Sequence, residues 1–314
     1  MNLVPAKMNS YYTKFSDYLE ETFGGKVWKI SLDAGFSCPN NDEAGREGCI
    51  YCRNDSFSPH GSMPLQSISE QMQIGIKSAQ GSRNISKYIA YFQSSTNTFA
   101  PVSILRKLYK EALHFDDVVG ISIATRPDCL PDDVIELLKE LADEVMVWVE
   151  LGLQSANDKT LQTIHRGHTF SDYLSAVEKL SRINVRICTH VMLGLPGETH
   201  DDVLNTARQI SNTPIHEVKI HPLLILKETK LESLYNSGQA SALQLGDYVK
   251  WVCDFLEILP PAMVIQRLTA EAPPELLIAP SWSSNKLGVL NAIENEFKKR
   301  GTRQGEKYQP LSVN

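Results

Sequence analysis

The sequence of 314 residues lacks the features that mark several special classes of protein. No uninterrupted apolar run approaches the roughly 18 residues that a membrane-spanning helix needs. The N-terminal residues lack the apolar core of a signal peptide. Low-complexity tracts, fixed-period repeats and linkers rich in Pro, Gly or Ser are absent as well. We therefore expect a globular, cytoplasmic protein with no membrane partner, folded as one large domain or two modest ones.

Basic residues are fewer than acidic ones, so that the net charge is −6 at pH 7 and the isoelectric point is near 5.8. This composition excludes a protein that binds polyanions over its whole surface, so a nucleic-acid site must be a local basic patch. One candidate is the segment 298–307, with a net charge of +4. The alternative is a solvated helix end whose positive charges complement the helix dipole. The charged residues of this segment are Lys298, Lys299, Arg300, Arg303, Glu306 and Lys307.

Cysteine is scarce, with six residues in the chain. In a reducing cytosol a tight group of cysteines indicates metal binding or catalysis before disulfides. The loop 33–55, "DAGFSCPNNDEAGREGCIYCRND", contains three of the six in the spacing C-x10-C-x2-C: Cys38, Cys49 and Cys52. The other three are scattered singly, and we interpret them as small core residues. They are Cys129, Cys188 and Cys253.

The cysteine loop taken alone leaves its ligand open. Two cysteines separated by two residues can present two thiolates to one metal centre, in zinc and iron–sulfur sites alike. A structural zinc ion would need a fourth protein ligand, and His60 is a possible one. A 4Fe–4S cluster held by three cysteines would leave one iron open to an exogenous ligand. Unliganded thiols are the third possibility.

Strand and helix patterns alternate along most of the chain, which predicts βα units and a parallel sheet. A polar segment follows almost every predicted strand, and this favours a barrel with its site at the carboxyl ends over a doubly wound sheet. Less regular elements follow residue 227: a helix over 242–257, a strand over 263–268 and a helix over 285–300. The predicted strands are 26–33, 87–93, 117–124, 144–153, 184–195 and 216–226, and the helices are 66–80, 102–113, 131–142, 170–182 and 200–211.

Two motifs stand at the ends of predicted strands. "VELGLQS" (149–155) has Glu150 inside an apolar strand, where a carboxylate must pair with a basic residue or face the barrel mouth. "HVMLGLPGET" (190–199) ends in a turn in which Gly194 and Gly197 would let a flat ring or a backbone approach closely. The alternative for this second motif is an ordinary βα turn whose glycines satisfy backbone geometry.

Together with these features, motifs along nearly the whole chain resemble those of the radical S-adenosylmethionine (SAM) enzymes. The resemblance is closest to the small YhcC/YtqA-type branch, which is related to the radical domain of the elongator catalytic subunit. It implies a partial (β/α)6 TIM-like barrel at 26–227, between an N-terminal segment at 1–25 and a C-terminal extension at 228–314. The motifs are "YLEETFGGKVWKISLDAGFSCPN", "GCIYC", "YFQSSTNTFAP", "ATRPDCL", "ELGLQSANDKTLQTIHRGHT", "MLGLPGET", "EAPPELLIAPSW" and "NKLGVLNAI".

The resemblance also implies roles for individual residues. The three cysteines of the loop should hold a 4Fe–4S cluster whose unique iron binds the amino and carboxylate groups of SAM. Arg166 would suit the SAM carboxylate, because a guanidinium binds carboxylates bidentately. Two departures from the family are the wide cysteine spacing and Ala124, where relatives often carry an acidic residue. The matched SAM-binding positions are Tyr51 and Leu195 with Gly194 on the adenine side, Gln93, Ser94, Ser95 and Thr96 near the methionyl amino group, and Glu150, Gln154 and Arg166.

The implied activity is reductive cleavage of SAM to a 5′-deoxyadenosyl radical, with electrons from a donor such as flavodoxin or ferredoxin. Elongator-like relatives make tRNA the leading substrate, through the carboxymethylaminomethyl group at C5 of the wobble uridine. The alternatives are a radical enzyme acting on a metabolite or peptide, and a zinc-stabilised binding protein. Residues beyond the barrel would close the substrate side, or else form a packed cap anchored by Trp282: Arg267, Glu271, Trp282, Asn285 and Lys286.

Overall fold

The computed structural model describes residues 10–41, 48–53, 65–80 and 85–310. In this part of the chain, seven parallel strands form one curved sheet in the order β1-β2-β3-β4-β5-β6-β8. The sheet is the partial barrel that the strand and helix patterns predict, so the predicted fold class is confirmed. The strands are β1 (Val27–Leu32), β2 (Lys87–Phe92), β3 (Val118–Thr125), β4 (Met146–Gln154), β5 (Arg186–Leu193), β6 (Glu217–Pro222), β7 (Ile225–Leu226), β8 (Val264–Arg267) and β9 (Leu277–Ala279).

Helices connect the strands and cover the outer face of the sheet. α6 and α7 begin with capping boxes, in which Thr169 and Thr199 exchange hydrogen bonds with Asp172 and Asp202 three residues later. The helices are α1 (Phe15–Phe23), α2 (Ile68–Gln80), α3 (Val102–Ala112), α4 (Asp132–Ala142), α5 (Asp158–Thr163), α6 (Phe170–Ser181), α7 (His200–Ser211), α8 (Lys230–Asn236), α9 (Leu245–Ile258) and α10 (Lys286–Arg300).

An apolar floor closes the amino-terminal end of the barrel. Phe15 and Tyr18 of α1 pack in one cluster with Ile89, Trp148 and Val264 from the strands. The rings of Phe15 and Trp148 meet edge to face, with centroids 6.0 Å apart. Since this end is filled by side chains, the barrel interior opens toward the carboxyl ends of the strands.

The seventh strand comes from the C-terminal segment and was not part of the six-strand prediction. β8 pairs in parallel with β6, so that Val218 lies beside Ile265. Gln304 ties the two ends of the chain together beneath it: its Oε1 accepts from the backbone N–H of Thr13, and its Nε2 donates to the carbonyls of Pro260 and Met263. The segment after the predicted barrel therefore extends the sheet itself.

The basic end of α10 is held by acidic side chains. Arg300 forms ion pairs with Asp254, Glu257 and Glu296, and Lys307 pairs with Glu257. These contacts agree with the alternative of a helix end, but Arg300 and Lys307 bind acidic side chains of α9 where that alternative expected solvated charges.

Trp282 and Asn285 make structural contacts in the C-terminal cap. The indole N–H of Trp282 donates to the carbonyl of Leu243 at 2.9 Å, and its ring packs on Tyr248. The side chain of Asn285 accepts from the N–H of Gly288 and caps α10. These two residues fit the alternative of a packed cap, whereas Arg267 lies in the sheet at the end of β8.

A substitution at Gly120 tests how closely the strands pack on the apolar floor. A Cβ at this position would lie 2.6 Å from the carbonyl oxygen of Met146 and 2.7 Å from the ring of Trp148. We predict that Gly120→Ala lowers the free energy of unfolding by about 1–3 kcal/mol, because the floor has no room for a methyl group. Anaerobic urea unfolding measures this value.

The matched control is Gly246→Ala in α9, where an added Cβ meets no atom within 4 Å. That substitution should leave stability unchanged or raise it by up to about 1 kcal/mol, since alanine favours helix. Equal unfolding free energies for the two variants would contradict the described packing.

Candidate functional site

A cavity of about 190 Å³ lies at the carboxyl ends of the strands and brings together most of the predicted site residues. A larger groove of about 790 Å³ runs along the outside, beside Phe99, Asp128 and Lys179. The smaller cavity contains the chemistry-bearing side chains, and we call it the cysteine cavity. Its predicted members are Cys38, Cys49, Tyr51, Cys52, Gln93, Ser95, Thr96, Glu150, Gln154 and Arg166.

Backbone hydrogen bonds fold the two closely spaced cysteines into a turn. The N–H of Cys52 donates to the carbonyl of Cys49 at 3.0 Å. Between them, Ile50 donates to the carbonyl of Ile164 and accepts from the N–H of Leu231. The turn is thus anchored to the segments after β4 and β7, and this fixes where its thiols lie.

The three thiols surround the cavity and do not converge on one point. Among the described residues, no three His, Cys, Asp or Glu side chains lie close enough to ligate a single metal ion. Cys38, Cys49 and Cys52 nevertheless line one space. This arrangement fits a cluster in which each thiolate binds a different iron. His60, the possible fourth zinc ligand, lies outside the described residues.

Polar groups converge on the sulfur of Cys49. The Nδ2 of Asn40 donates to this sulfur at 3.3 Å and to the carbonyl of His165 at 2.6 Å. The Nη1 of Arg166 lies 3.6 Å from the same sulfur, and its Nε and Nη2 donate to the carbonyl of Gly152. Nearby N–H donors and a positive charge stabilise a thiolate, which is the form that binds iron.

The segment after β2 approaches the cysteine loop with an unusual backbone. Ser95 has a φ of 61°, in the left-handed region, and the N–H of Thr96 donates to the carbonyl of Ser37. The hydroxyl of Ser94 is buried and has no hydrogen-bond partner among the described residues. Gln93, Ser95 and Thr96 line the cavity, whereas Ser94 is not among its lining residues.

Gly194 and Leu195 lie behind the cavity. Gly194 has a φ of 91°, and a Cβ at its position would lie 2.9 Å from the side chain of Leu243. Leu195 is buried in one apolar cluster with Ile50 and Tyr51. Gly194 therefore fits the alternative of a turn with a special backbone, while Leu195 supports the ring of Tyr51.

The carboxylate of Glu150 is fully buried in the barrel interior. Its oxygens accept hydrogen bonds from one side chain on each of the five other strands between β1 and β6. The donors are Lys29 Nζ at 2.6 Å, Ser122 Oγ at 2.6 Å, Tyr91 OH at 2.9 Å, His190 Nε2 at 2.8 Å and Lys219 Nζ. We call Glu150 and these five residues the Glu150 network. The prediction that Glu150 pairs with a basic residue or faces the barrel mouth is met in both respects.

The charges in this network follow from its contacts. Burial opposes ionisation of Glu150, but Lys219, Lys29 and His190 hold its pKa well below the usual range. Burial also lowers the pKa of His190 to about 4, even though Glu150 acts in the opposite direction. At neutral pH His190 is therefore a neutral donor, and an ionised Glu150 is bound by two lysines.

A second interior carboxylate has its own compensating partners. Glu217 accepts from the indole N–H of Trp148 at 2.8 Å, from Arg186 Nε at 2.5 Å and from Gln266 Nε2. Its charge is matched by Arg186, and Gln266 links it to the Glu150 network by accepting from Lys29 Nζ at 3.4 Å.

Two models of known families match the chain. The one described as "Radical SAM superfamily" matches residues 38–210, and the one described as "Radical_SAM C-terminal domain" matches residues 215–299. The chain belongs to the radical SAM superfamily. It is therefore an enzyme, and its cofactors are a 4Fe–4S cluster and SAM. The three cysteine thiols around one cavity, with donors directed at Cys49, fit such a cluster.

Individual relatives locate the chain within the radical SAM superfamily. It is 43% identical to the uncharacterised protein YtqA of Bacillus subtilis (strain 168) over 302 residues, which are 96% of this chain and 94% of the relative. This match confirms the predicted branch. The structure of Elp3 from the archaeon Methanocaldococcus infernus has a TM-score of 0.68 at 18% identity and covers 88% of this chain and 64% of that one, which shows the shared fold.

A third relative matches over part of its length. The tRNA uridine(34) acetyltransferase of Dehalococcoides mccartyi (strain CBDB1) is 27% identical over 184 residues, or 58% of this chain and 39% of the relative.

No helix among the described residues combines the length and apolar character needed to cross a membrane.

Sequence reasoning missed several side chains of this radical SAM site. Lys29 and Lys219 are charged residues inside apolar strands. The same signal, a charge in an apolar strand, had identified Glu150 and could have identified these two lysines. His190 also lines the cysteine cavity. Asn40 and Arg126 stand in polar loops and carried no such signal. Arg126 is buried, binds Asp128 through two nitrogens and donates to the carbonyl of Arg166.

Replacing the central carboxylate tests the Glu150 network. Glu150→Gln keeps the shape of the side chain but leaves the charges of Lys29 and Lys219 without a counterion inside the barrel. We predict a loss of about 3–5 kcal/mol in the free energy of unfolding, as for other buried pairs broken on one side. Anaerobic urea unfolding of the cluster-containing enzyme measures the loss.

Glu144→Gln is the matched control, since Glu144 pairs with Lys110 on the exposed surface. Its loss should stay within about 1 kcal/mol, as is usual for exposed ion pairs. A Glu150→Gln variant as stable as this control would show that the interior charges do not depend on each other.

Proposed function

We propose that this radical SAM enzyme remodels the C5 side chain of the wobble uridine in tRNA, within the pathway that converts the carboxymethylaminomethyl group to the aminomethyl group. The observation that carries the proposal is the likeness to a tRNA uridine(34) acetyltransferase across 58% of this chain. The cysteine cavity at the carboxyl ends of the strands is where such a substrate would react.

In this proposal the cysteine loop holds the cluster. Cys38, Cys49 and Cys52 provide the thiolates, and the N–H groups of Asn40 and Arg166 keep the sulfur of Cys49 in position. When bound, the reduced cluster and SAM supply a 5′-deoxyadenosyl radical that abstracts a hydrogen atom from the substrate. Electrons come from a donor such as flavodoxin or ferredoxin, and we place the reaction in the cytoplasm.

The remaining residues of the cavity would bind and orient SAM. Tyr51, supported by Leu195 and Ile50, provides an apolar surface for the adenine ring. The unpartnered hydroxyl of Ser94 has hydrogen-bonding capacity that no described residue uses, next to the segment assigned to the methionyl amino group. The polar positions assigned to SAM are Gln93, Ser94, Ser95, Thr96, Glu150, Gln154 and Arg166, with Gly194 shaping the turn behind Leu195.

Glu150 has a structural task besides any contact with SAM. Its carboxylate already accepts five hydrogen bonds, so it also fixes the lysines and His190 at the base of the cavity. The Nε2–H of His190 points at the Glu150 carboxylate, and His190 stays neutral at physiological pH because burial lowers its pKa to about 4. His190 therefore keeps one protonation state around neutrality.

Nucleoside mass spectrometry of tRNA from a deletion strain tests the proposed substrate. In a host with an intact upstream pathway, loss of this enzyme should abolish the aminomethyl-derived wobble uridines and leave the carboxymethylaminomethyl form in their place. The wild-type gene should restore them, and a Cys52→Ala gene should not. Unchanged wobble uridines in the deletion strain would reject tRNA and favour a metabolite or peptide as the substrate.

A further inference from the structure

We propose that Lys219 and Arg267, on the β6–β8 side of the barrel mouth, form a subsite that recognises a carboxylate of the substrate. The inference rests on the proposed function, because the carboxymethylaminomethyl group ends in such a carboxylate. It assigns a specificity-determining role to Arg267, which lies opposite Lys219 in the pairing of β6 with β8.

Two lysine side chains share one carboxylate in the barrel interior. Lys29 and Lys219 both pair with the single carboxylate of Glu150. The charge of Glu217 is matched by Arg186. In the described part of the barrel two amines therefore face one carboxylate in the Glu150 network, and burial lowers the pKa of Lys29. An anionic ligand beside these amines would give them a second acceptor.

Arg267 lies beside Lys219 in the sheet. It is the residue of β8 that pairs with Lys219 of β6, just after an irregularity in the register of these strands. Such a bulge turns two successive residues toward the same face. Gln266 contacts the interior through Glu217, and the charge of Arg267 acts on Tyr91 and His190 of the Glu150 network. Arg267 thus stands at the edge of that network.

The guanidinium of Arg267 is available to bind a ligand. Its side chain is exposed and makes no hydrogen bond or ion pair with any residue that the structure describes. Lys219, by contrast, is buried and bound to Glu150 and Tyr91. A carboxylate that enters beside Lys219 would find a free bidentate donor at Arg267.

The two interior histidines complete the environment. The rings of His190 and His221 lie with centroids 5.4 Å apart. Burial lowers the pKa of His221 well below its usual range, and the nearby His190, Arg267 and Lys219 lower it further. Both rings are neutral at physiological pH. Neither ring adds charge to the subsite, and the N–H of His190 is already donated to Glu150.

The subsite adjoins the cofactor site. Glu150 and His190 line the cysteine cavity and also contact or neighbour Lys219. A substrate whose carboxylate binds at Lys219 and Arg267 therefore presents the adjoining carbon toward the cavity. This geometry would favour hydrogen abstraction next to the carboxylate.

The experiment compares two anticodon stem-loop RNAs that differ in one group. One carries carboxymethylaminomethyl-uridine at the wobble position, and the other carries its methyl ester. Binding is measured anaerobically by fluorescence anisotropy with the enzyme loaded with cluster and SAM. We expect the wild-type enzyme to bind the acid about tenfold or more tightly than the ester, as a charge-assisted pair implies. Arg267→Gln should bind both RNAs with the affinity that the wild-type enzyme has for the ester.

Arg303→Gln is the control, because it removes the same charge from an exposed position of the C-terminal tail. It should preserve the discrimination between acid and ester. Equal binding of the two RNAs by the wild-type enzyme would overturn the inference. So would a loss of affinity in Arg267→Gln that is the same for both RNAs, since that result indicates a backbone phosphate as the bound anion.

Conversion of the acid RNA by the wild-type enzyme separates the two claims. An enzyme that converts this RNA but does not discriminate against the ester leaves the proposed function intact and overturns the subsite. An enzyme that neither binds nor converts the acid RNA overturns the proposed function, and the carboxylate subsite with it.

Discussion

The buried carboxylate of Glu150 is the constraint on which the rest of the structure depends. An ionised carboxylate inside a protein is tolerated only when donors surround it. Here β1, β2, β3, β5 and β6 each provide one donor to the carboxylate on β4. Six consecutive strands therefore bend around one group. The polar layer that results lies above the apolar floor of Trp148 and below the cysteine cavity.

This layer explains how an apolar fold can present a polar site. A barrel filled with branched apolar side chains would leave no space for a cofactor or substrate. The Glu150 network replaces part of that filling with polar and ionisable groups that hydrogen-bond to one carboxylate. Above it, Asn40 donates to the carbonyl of His165 and Arg166 contacts the sulfur of Cys49, so the cysteine loop is tied to the segment after β4.

The fold and the cysteines were predictable from the sequence because their signals are local. The strands carry apolar β-branched runs, Thr199 marks the start of α7, and a two-residue spacer joins Cys49 to Cys52. The short helices α1, α5 and α8 were not predicted, and neither was the joining of β8 to the sheet. These features depend on packing against distant parts of the chain, which local patterns do not record.

The same limit applies to the site. Glu150 was recognisable as a charge in an apolar strand, but its partners Lys29 and Lys219 are 190 residues apart in the chain and meet only when the sheet curves. Ser94 and Gly194 belong to segments that follow predicted strands and match SAM-binding positions of the family, yet neither lines the cavity. In the segment 298–307 the local signal was misleading. Its positive charge suggested a nucleic-acid site, whereas Arg300 and Lys307 bind acidic side chains of α9.

The most direct test of the central claim is release of 5′-deoxyadenosine from SAM by the anaerobically reconstituted enzyme under a strong reductant. Wild-type enzyme and a Cys129→Ala control should release it, because Cys129 is a buried cysteine outside the cysteine cavity. Cys38→Ala, Cys49→Ala and Cys52→Ala should each lose both the cluster and the product. Iron- and sulfide-replete wild-type enzyme that releases none, or release that survives loss of one of these three thiols, would contradict the account.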